Sequence, residues 1–176
     1  MTEDPKGAPP LADIRVLDFS QIVAGPLATL LLGDLGADVI KVEPPEGDAA
    51  RRIGKTFVNG STESDGIVSL NRNKRSVTIN LKTEAGRELF YALVETADIV
   101  VENSRPGVAK RLGIDYETLS KRNPRLVYAS ISGFGQTGPW SQRPGFDLIA
   151  QAMSGVISAM GIPGGEPIKS GVPIGD

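Results

Sequence analysis

Short apolar runs alternate with helix-like segments along most of the chain. The runs that are typical of buried strands lie at residues 14–19, 38–43, 76–81, 98–102 and 125–131. Helices are predicted at residues 25–35, 83–94, 107–112, 115–122 and 146–160. The first strand–helix–strand segment has the spacing of a βαβ unit, whose two strands are parallel. The pattern therefore predicts an α/β fold with an open, mostly parallel sheet flanked by helices.

Glycine, proline and threonine mark several of the predicted boundaries. Gly25-Pro26 places proline at the first position of a helix, Gly36 is a plausible helix end, and Thr83 is a candidate cap. Residues 44–69 are rich in Gly, Ser, Asp and Arg, and we expect a long loop there. A loop of that length in a compact domain is usually functional or mobile.

The composition sets the broad class of protein. The chain has 176 residues, 40% of them apolar, which suffices for one domain with a core. Residues 1–10 are polar and Pro-rich, so we expect a flexible tail rather than a secretory signal, with residues 11–176 forming the domain. The net charge of −2 gives no reason to expect binding to nucleic acid or membranes. The missing signal and cysteines favour a cytoplasmic setting.

The chain has neither histidine nor cysteine. The commonest general base, the commonest metal ligand and the thiol nucleophile are therefore absent from it. Any chemistry has to use carboxylates, hydroxyls, amides, Lys or Arg. We predict no metal site and no permanently bound cofactor.

Polar residues and glycines follow the predicted strands, where ligands bind in open α/β sheets. They occupy residues 20–26, 44–48, 103–107 and 132–135. Such loops also use these residues for turn geometry alone, so a binding role stays open. The first loop has a single Gly25 before the helix, which argues against a dinucleotide-binding fingerprint, and the P-loop pattern is absent.

A basic cluster precedes the third predicted strand, with Arg72, Lys74 and Arg75 close together. It is either a solvated strand entry or a clamp for phosphate oxygens. Four further arginines could contribute to a clamp: Arg51, Arg52, Arg105 and Arg111. Local basic clusters on an acidic chain suit a small phosphorylated ligand better than nucleic acid.

Among the carboxylates, Asp176 stands out because Gly175 precedes it and leaves room for a substrate. A carboxylate can serve as a covalent nucleophile, although the residues alone leave that role undecided. Asp18 and Glu43 lie at strand ends and are interpreted as structural, and Asp147 begins a helix. The Gly/Pro-rich approach to Asp176 ends in an apolar run, and we expect this chain to be the front part of a longer protein.

Several short segments carry a family resemblance when they are taken in order. They are residues 16–20, 24–26, 35–45, 73–76, 101–103, 106–107, 133–135, 145–147 and 175–176. Together they resemble the family III (CaiB/BaiF-like) CoA-transferases, which include formyl-CoA transferase, carnitine CoA-transferase and alpha-methylacyl-CoA racemase. The resemblance covers nearly the whole chain from Leu11 onward.

The resemblance implies the N-terminal part of a larger, Rossmann-like CoA-binding domain in an interlocked homodimer. It implies that Asp176 is the nucleophile that attacks an acyl-CoA thioester, giving a mixed anhydride and then an aspartyl-CoA thioester. A free carboxylic acid finally takes the CoA. Coenzyme A and acyl-CoA would thus be substrates rather than resident cofactors.

The resemblance also implies a set of CoA contacts. Gln21 and Ala24 would lie near the pantetheine or the thioester, and Asn103 would be a further contact. Lys74, Arg75, Arg105 and Arg111 would lie along the CoA nucleotide.

Phe146 bears on which branch of the family this is. The racemase branch uses a histidine at that position to move the alpha proton, and this chain has none. A transferase is therefore favoured over an acyl-CoA racemase or epimerase. A non-catalytic CoA-binding fragment stays open, as do oxalate, succinate, carnitine-like and branched dicarboxylic acids as substrates.

Overall fold

The computed structural model describes residues 7–53 and 64–176. Its strands form one parallel sheet of five in the order β3-β2-β1-β4-β5. They are β1 (Arg15–Phe19), β2 (Asp38–Glu43), β3 (Lys74–Thr78), β4 (Ile99–Glu102) and β5 (Val127–Ser130). The predicted α/β class with an open, parallel sheet is confirmed.

Seven α-helices and a short 3-10 helix lie in the described residues. The α-helices are α1 (Ala24–Asp34), α2 (Asp65–Leu70), α3 (Glu84–Val94), α4 (Val108–Leu112), α5 (Tyr116–Leu119), α6 (Asp147–Met153) and α7 (Val156–Ala159). The 3-10 helix is Ala49–Arg52. None of the helices in residues 7–53 and 64–176 has the length and apolar content to span a membrane.

The chain divides into two compact units, one ending at Ile131 and the other formed by Ser132–Asp176. The first unit contains the whole sheet, and the second contains α6 and α7. Each unit is described by itself.

Both faces of the sheet are covered, which explains the continuous apolar runs in its strands. Leu17 packs in a cluster with Phe90 of α3, while its neighbour Val16 packs on the other face with Val39. Both β1 side chains are fully buried. The first unit therefore has a hydrophobic layer on each side of the sheet.

Two of the predicted helix boundaries are confirmed by local geometry. Thr83 Oγ1 accepts a 3.1 Å hydrogen bond from the Gly86 amide and so caps α3. Gly36 follows α1 with φ of 101°, a conformation that favours glycine, and its amide donates to Gly33 O. Both signals depend on residues within a few positions of the helix end, so they can be recognised in the sequence.

Other predicted boundaries are wrong. Pro26 is the third residue of α1 rather than the first, because the helix begins at Ala24. The third strand begins and ends earlier than expected, at Lys74–Thr78. The helix predicted at residues 146–160 is two helices, because Gly155 adopts φ of 82° between them.

The loop expected at residues 44–69 contains regular structure in its described part. The 3-10 helix Ala49–Arg52 and most of α2 lie within it. Residues 54–63 of that loop, and residues 1–6 of the expected tail, lie outside the described residues. The division into a tail and a domain stays a prediction.

Candidate functional site

Four charged side chains are buried in the strands of the first unit, near the carboxyl ends. Asp18 of β1, Lys41 and Glu43 of β2, and Glu102 of β4 are each at most 2% exposed. Burying a charge is costly unless it is paired and hydrogen-bonded. Each of these side chains has partners in the loops that follow the strands, so the buried charges determine the shape of those loops.

Asp18 fixes the turn between β1 and α1. Its Oδ1 accepts hydrogen bonds from the amide and hydroxyl of Ser20, and its Oδ2 accepts from Thr29 Oγ1 at 2.7 Å. Burial raises the pKa of Asp18, but the positive charges of Lys41 and Lys74 outweigh it and hold the pKa below its ordinary value. The structural role expected of Asp18 agrees with these contacts.

The same turn requires glycine at position 25. A Cβ atom there would lie 2.2 Å from the Cβ of Ser20, which is closer than two carbon atoms can approach. Gly25 therefore lets the start of α1 pack directly against the end of β1.

Asn103 joins the loop after β4 to the loop after β1. Its Oδ1 accepts from the Gln21 amide at 2.8 Å, and its Nδ2 donates to Gln21 O at 2.7 Å. Gln21 and Asn103, both expected to contact CoA, are thus brought together at the carboxyl edge of the sheet. Ala24 lies close by, as the first residue of α1.

Ile22 has a left-handed backbone, with φ of 69°. This conformation is unusual for a β-branched residue and costs on the order of 1–3 kcal/mol. Asp48 Oδ1 holds it by accepting a 3.1 Å hydrogen bond from the Ile22 amide. Backbone strain of this kind is concentrated at functional sites, which makes residues 20–23 a candidate binding loop.

Lys41 and Asp48 hold this loop in place through their buried side chains. Lys41 Nζ donates to Ser20 O at 2.9 Å and lies 2.8 Å from Asp48 Oδ2. Asp48 Oδ2 has no hydrogen-bond partner among the described residues, and Lys41 meets it as an ion pair. Asp48 Oδ1 also accepts from the Ala50 amide and caps the 3-10 helix.

Sequence reasoning missed Lys41, Asp48 and Glu102 as residues that shape the loops. The available signal was a lysine inside the apolar run of a predicted buried strand, since such a charge needs a buried partner. Glu102 of β4 is likewise a buried charge bonded to the loop after its strand, since its Oε2 accepts from the Ser104 amide at 2.7 Å.

Glu43 lies at the end of β2 and is held by Arg51. Two 2.8 Å bonds join the Arg51 guanidinium to the Glu43 carboxylate, and Ser76 Oγ donates to Oε1. These hydrogen bonds, that of Arg51 above all, lower the pKa of Glu43 to about 2. Glu43 thus has the expected structural role, and Arg51 is its ion-pair partner.

The Lys74 side chain of β3 is buried and pairs with Asp18. Its Nζ donates to Asp18 Oδ2, Pro26 O and Asn71 Oδ1, and the side chain is 1% exposed. An ammonium has three N–H donors, so none is left for a phosphate. In this conformation Lys74 neutralises Asp18, and a contact of Lys74 with CoA stays a prediction.

Arg75 lies at the amino edge of the sheet, where its guanidinium forms a bidentate pair with Asp38. Gln21 and Asn103 follow the carboxyl ends of β1 and β4. The Arg75 side chain is 67% exposed, so a CoA contact for it stays a prediction.

Arg105 and Arg111 belong to the carboxyl edge, since they follow β4 in the loop and in α4. Both are exposed, and neither forms an ion pair with the residues that the structure describes. Their guanidinium groups could therefore meet an anionic ligand at that edge.

The second unit carries Asp176 on a turn that contacts the start of α6. Asp147 Oδ1 accepts a 2.8 Å hydrogen bond from the Gly175 amide. A Cβ atom at Gly175 would lie 2.8 Å from Asp147 O and from Ala150 Cβ, so the turn packs too closely for a side chain. The pattern Gly-Asp at the end of this chain therefore has a local packing reason.

The Asp176 side chain is exposed but lies close to a second carboxylate. Partial burial is the main cause that raises its pKa, and the negative charge of Asp147 adds to it. A hydrogen bond from the Asp147 backbone opposes the shift. A carboxylate with a raised pKa is a better nucleophile once it is ionised.

A family comparison bears directly on these two groups of residues. The model of CoA-transferase family III matches residues 11–176. The chain belongs to this family. The predicted family resemblance is thereby confirmed, and the parallel sheet and loops described above are those of a family III chain.

Similar proteins include several named CoA-transferases. Succinate–glutarate CoA-transferase of Agrobacterium fabrum is 48% identical over 100% of this chain and 45% of its own. Acetyl-CoA:oxalate CoA-transferase of Acetobacter aceti is 48% identical over 95% of this chain and 42% of its own. The chain thus spans somewhat less than half the length of these relatives.

A crystal structure of a CaiB/BaiF family protein from Brucella suis has the same fold. It superimposes with a TM-score of 0.89 at 46% sequence identity, over 93% of this chain and 44% of that one.

Proposed function

We propose that the protein carrying this chain transfers CoA from an acyl-CoA to a free carboxylic acid, with Asp176 as the covalent nucleophile. The observation that carries the proposal is the exposed Asp176 carboxylate on a closely packed turn of a family III chain. The names of the two relatives support the reaction class, and they favour a short dicarboxylic acid as acceptor.

The reaction needs four exchanges at acyl carbons. An Asp176 oxygen attacks the thioester carbonyl, and the C–S bond breaks to give a mixed anhydride and CoA thiolate. The thiolate attacks the aspartyl carbonyl, releasing the donor carboxylate and leaving an aspartyl-CoA thioester. The acceptor carboxylate then attacks the aspartyl-CoA thioester, which releases the thiolate and gives a new anhydride. The thiolate attacks the acyl carbonyl of this anhydride, forming the product acyl-CoA and freeing Asp176.

No net proton transfer occurs in this sequence, because carboxylates and thiolate exchange as anions. A general base is therefore not required, which agrees with a chain that lacks histidine. In the first unit, Arg105 and Arg111 are proposed to meet the phosphates of CoA. Gln21 and Ala24 would contact its pantetheine arm, with Gln21 held in place by Asn103.

The Asp176→Ala variant of the complete enzyme tests the proposal. We expect turnover to fall below detection while CoA binding is retained, because only the nucleophile is removed. The matched control is Asp13→Ala, which removes an exposed aspartate of the first unit. Mass spectrometry after hydroxylamine trapping should find the adduct at Asp176 in wild-type protein; transfer by Asp176→Ala would refute the nucleophile.

A racemase or epimerase is the second candidate, and Phe146 argues against it. This side chain is 57% exposed and carries no group that could move an alpha proton. We expect no deuterium wash-in at the alpha carbon of a 2-methylacyl-CoA. A non-catalytic CoA-binding role would instead show CoA binding with no adduct from any donor.

The proposal also includes a homodimer in the cytoplasm. Large exposed apolar side chains in the second unit support a covering partner, which would remove them from water. They include Ile162, Val172 and Ile174, which are 80%, 65% and 58% exposed. Mass measurement of the complete protein in solution tests the dimer.

A further inference from the structure

The second unit contains a buried amide that the proposed chemistry does not use. Gln151 of α6 is 1% exposed, although glutamine is rarely buried to that extent. Its Nε2 lies 2.8 Å from both carboxylate oxygens of Asp147, and its Oε1 accepts from the Ser170 amide at 2.8 Å. A buried amide with these bonds holds its partners in one geometry.

Asp147 continues this set of contacts to the nucleophile. One of the two oxygens that Gln151 fixes, Oδ1, accepts from the Gly175 amide, the residue before Asp176. The two ends of residues 170–175 are thus tied to α6 by one buried glutamine and the carboxylate that it orients.

We propose that Gln151 and Asp147 are positioning residues that hold the turn carrying Asp176 in the geometry needed for attack on the thioester. This inference rests on the proposed function of Asp176. The two residues act on the reacting carboxylate through the backbone of residues 170–175. Their loss should slow the covalent step rather than weaken CoA binding, because a misplacement of about 1 Å can cost about 10²-fold in rate.

The test uses Gln151→Met in the complete enzyme. Methionine has a similar length and removes all three side-chain hydrogen bonds of Gln151 without adding a charge. We expect the rate of adduct formation at Asp176, trapped by hydroxylamine in a single turnover, to fall by about 10²-fold, with CoA affinity within twofold of wild-type. Hydrogen exchange of peptides covering residues 170–176 should accelerate.

Gln142→Met is the matched control, since Gln142 is exposed in the same unit. We expect it to keep the wild-type rate. Asp147→Asn retains an oxygen acceptor for the Gly175 amide, whereas Asp147→Ala retains none. The asparagine variant should therefore be at least tenfold faster than the alanine variant in adduct formation.

The outcomes separate this inference from the function beneath it. If Asp176→Ala is inactive but Gln151→Met forms the adduct at the wild-type rate, the positioning role is wrong and the nucleophile stands. The same conclusion follows if the loss in Gln151→Met matches its loss of folded protein, measured by circular dichroism. Transfer by Asp176→Ala would overturn both proposals.

Discussion

Replacing Lys41 with methionine should destabilise the first unit strongly. Lys41 Nζ lies 2.8 Å from Asp48 Oδ2 and 2.9 Å from Ser20 O, and the side chains of Lys41 and Asp48 are 2% and 0% exposed. Methionine fills a similar volume, so the loss comes from charge rather than from a cavity. Removing one partner of a buried ion pair costs about 3–5 kcal/mol, because the remaining charge is buried without compensation.

The loss should depend on the balance of the buried charges around Lys41. Asp18 and Asp48 are balanced by Lys41 and Lys74, so the four charges cancel. The Lys41→Met variant would leave a net negative charge there. Asp48→Asn added to it restores neutrality and keeps an oxygen that can accept from the Ile22 amide. The double variant should therefore recover about 1–3 kcal/mol relative to additivity.

Urea unfolding of the complete protein, followed by circular dichroism, measures these free energies. Lys82→Met is the control, since Lys82 is exposed and surface substitutions usually stay within about 0.5 kcal/mol. A loss of less than about 1 kcal/mol in Lys41→Met would refute the reasoning. Strict additivity in the double variant would show that the two residues do not interact.

Two further predictions concern the same unit. Gly25→Ala should lower the free energy of unfolding by about 1–3 kcal/mol and reduce CoA transfer, because its Cβ would meet Ser20. Gly33→Ala is the control, since its Cβ would have neighbours no closer than 3.5 Å, and its stability should stay within about 1 kcal/mol of wild-type. Thermal unfolding compares them, and equal losses would contradict the packing argument. The pKa of Glu43 is about 2 in the folded protein, against an ordinary value of 4.5, so its contribution is present above pH 4.5 and lost as the pH falls towards 2. Glu43→Gln should flatten this part of the stability profile against pH, and an unchanged slope would contradict the assignment.

Much of the fold could be predicted from local sequence patterns. Apolar runs and their spacing gave the parallel sheet, and Thr83 and Gly36 marked helix ends, because a strand or a cap depends mostly on residues near it in the chain. The position of Asp176 after Gly175 also indicated a candidate nucleophile. The break at Gly155 was missed, since a single glycine inside a helical pattern has no certain outcome.

The partners of the charged residues were decided by tertiary structure alone. Lys74 looked like a free cation beside other basic residues, yet it pairs with Asp18, 56 positions earlier in the chain. Arg75 is its neighbour in sequence and pairs with Asp38 at the amino edge of the sheet. The sequence by itself determined which segments become strands and helices and which residue types are available for chemistry. Only the fold decided which charges are neutralised inside it and which stay exposed to a ligand, because a charge finds its partner by proximity in space rather than along the chain.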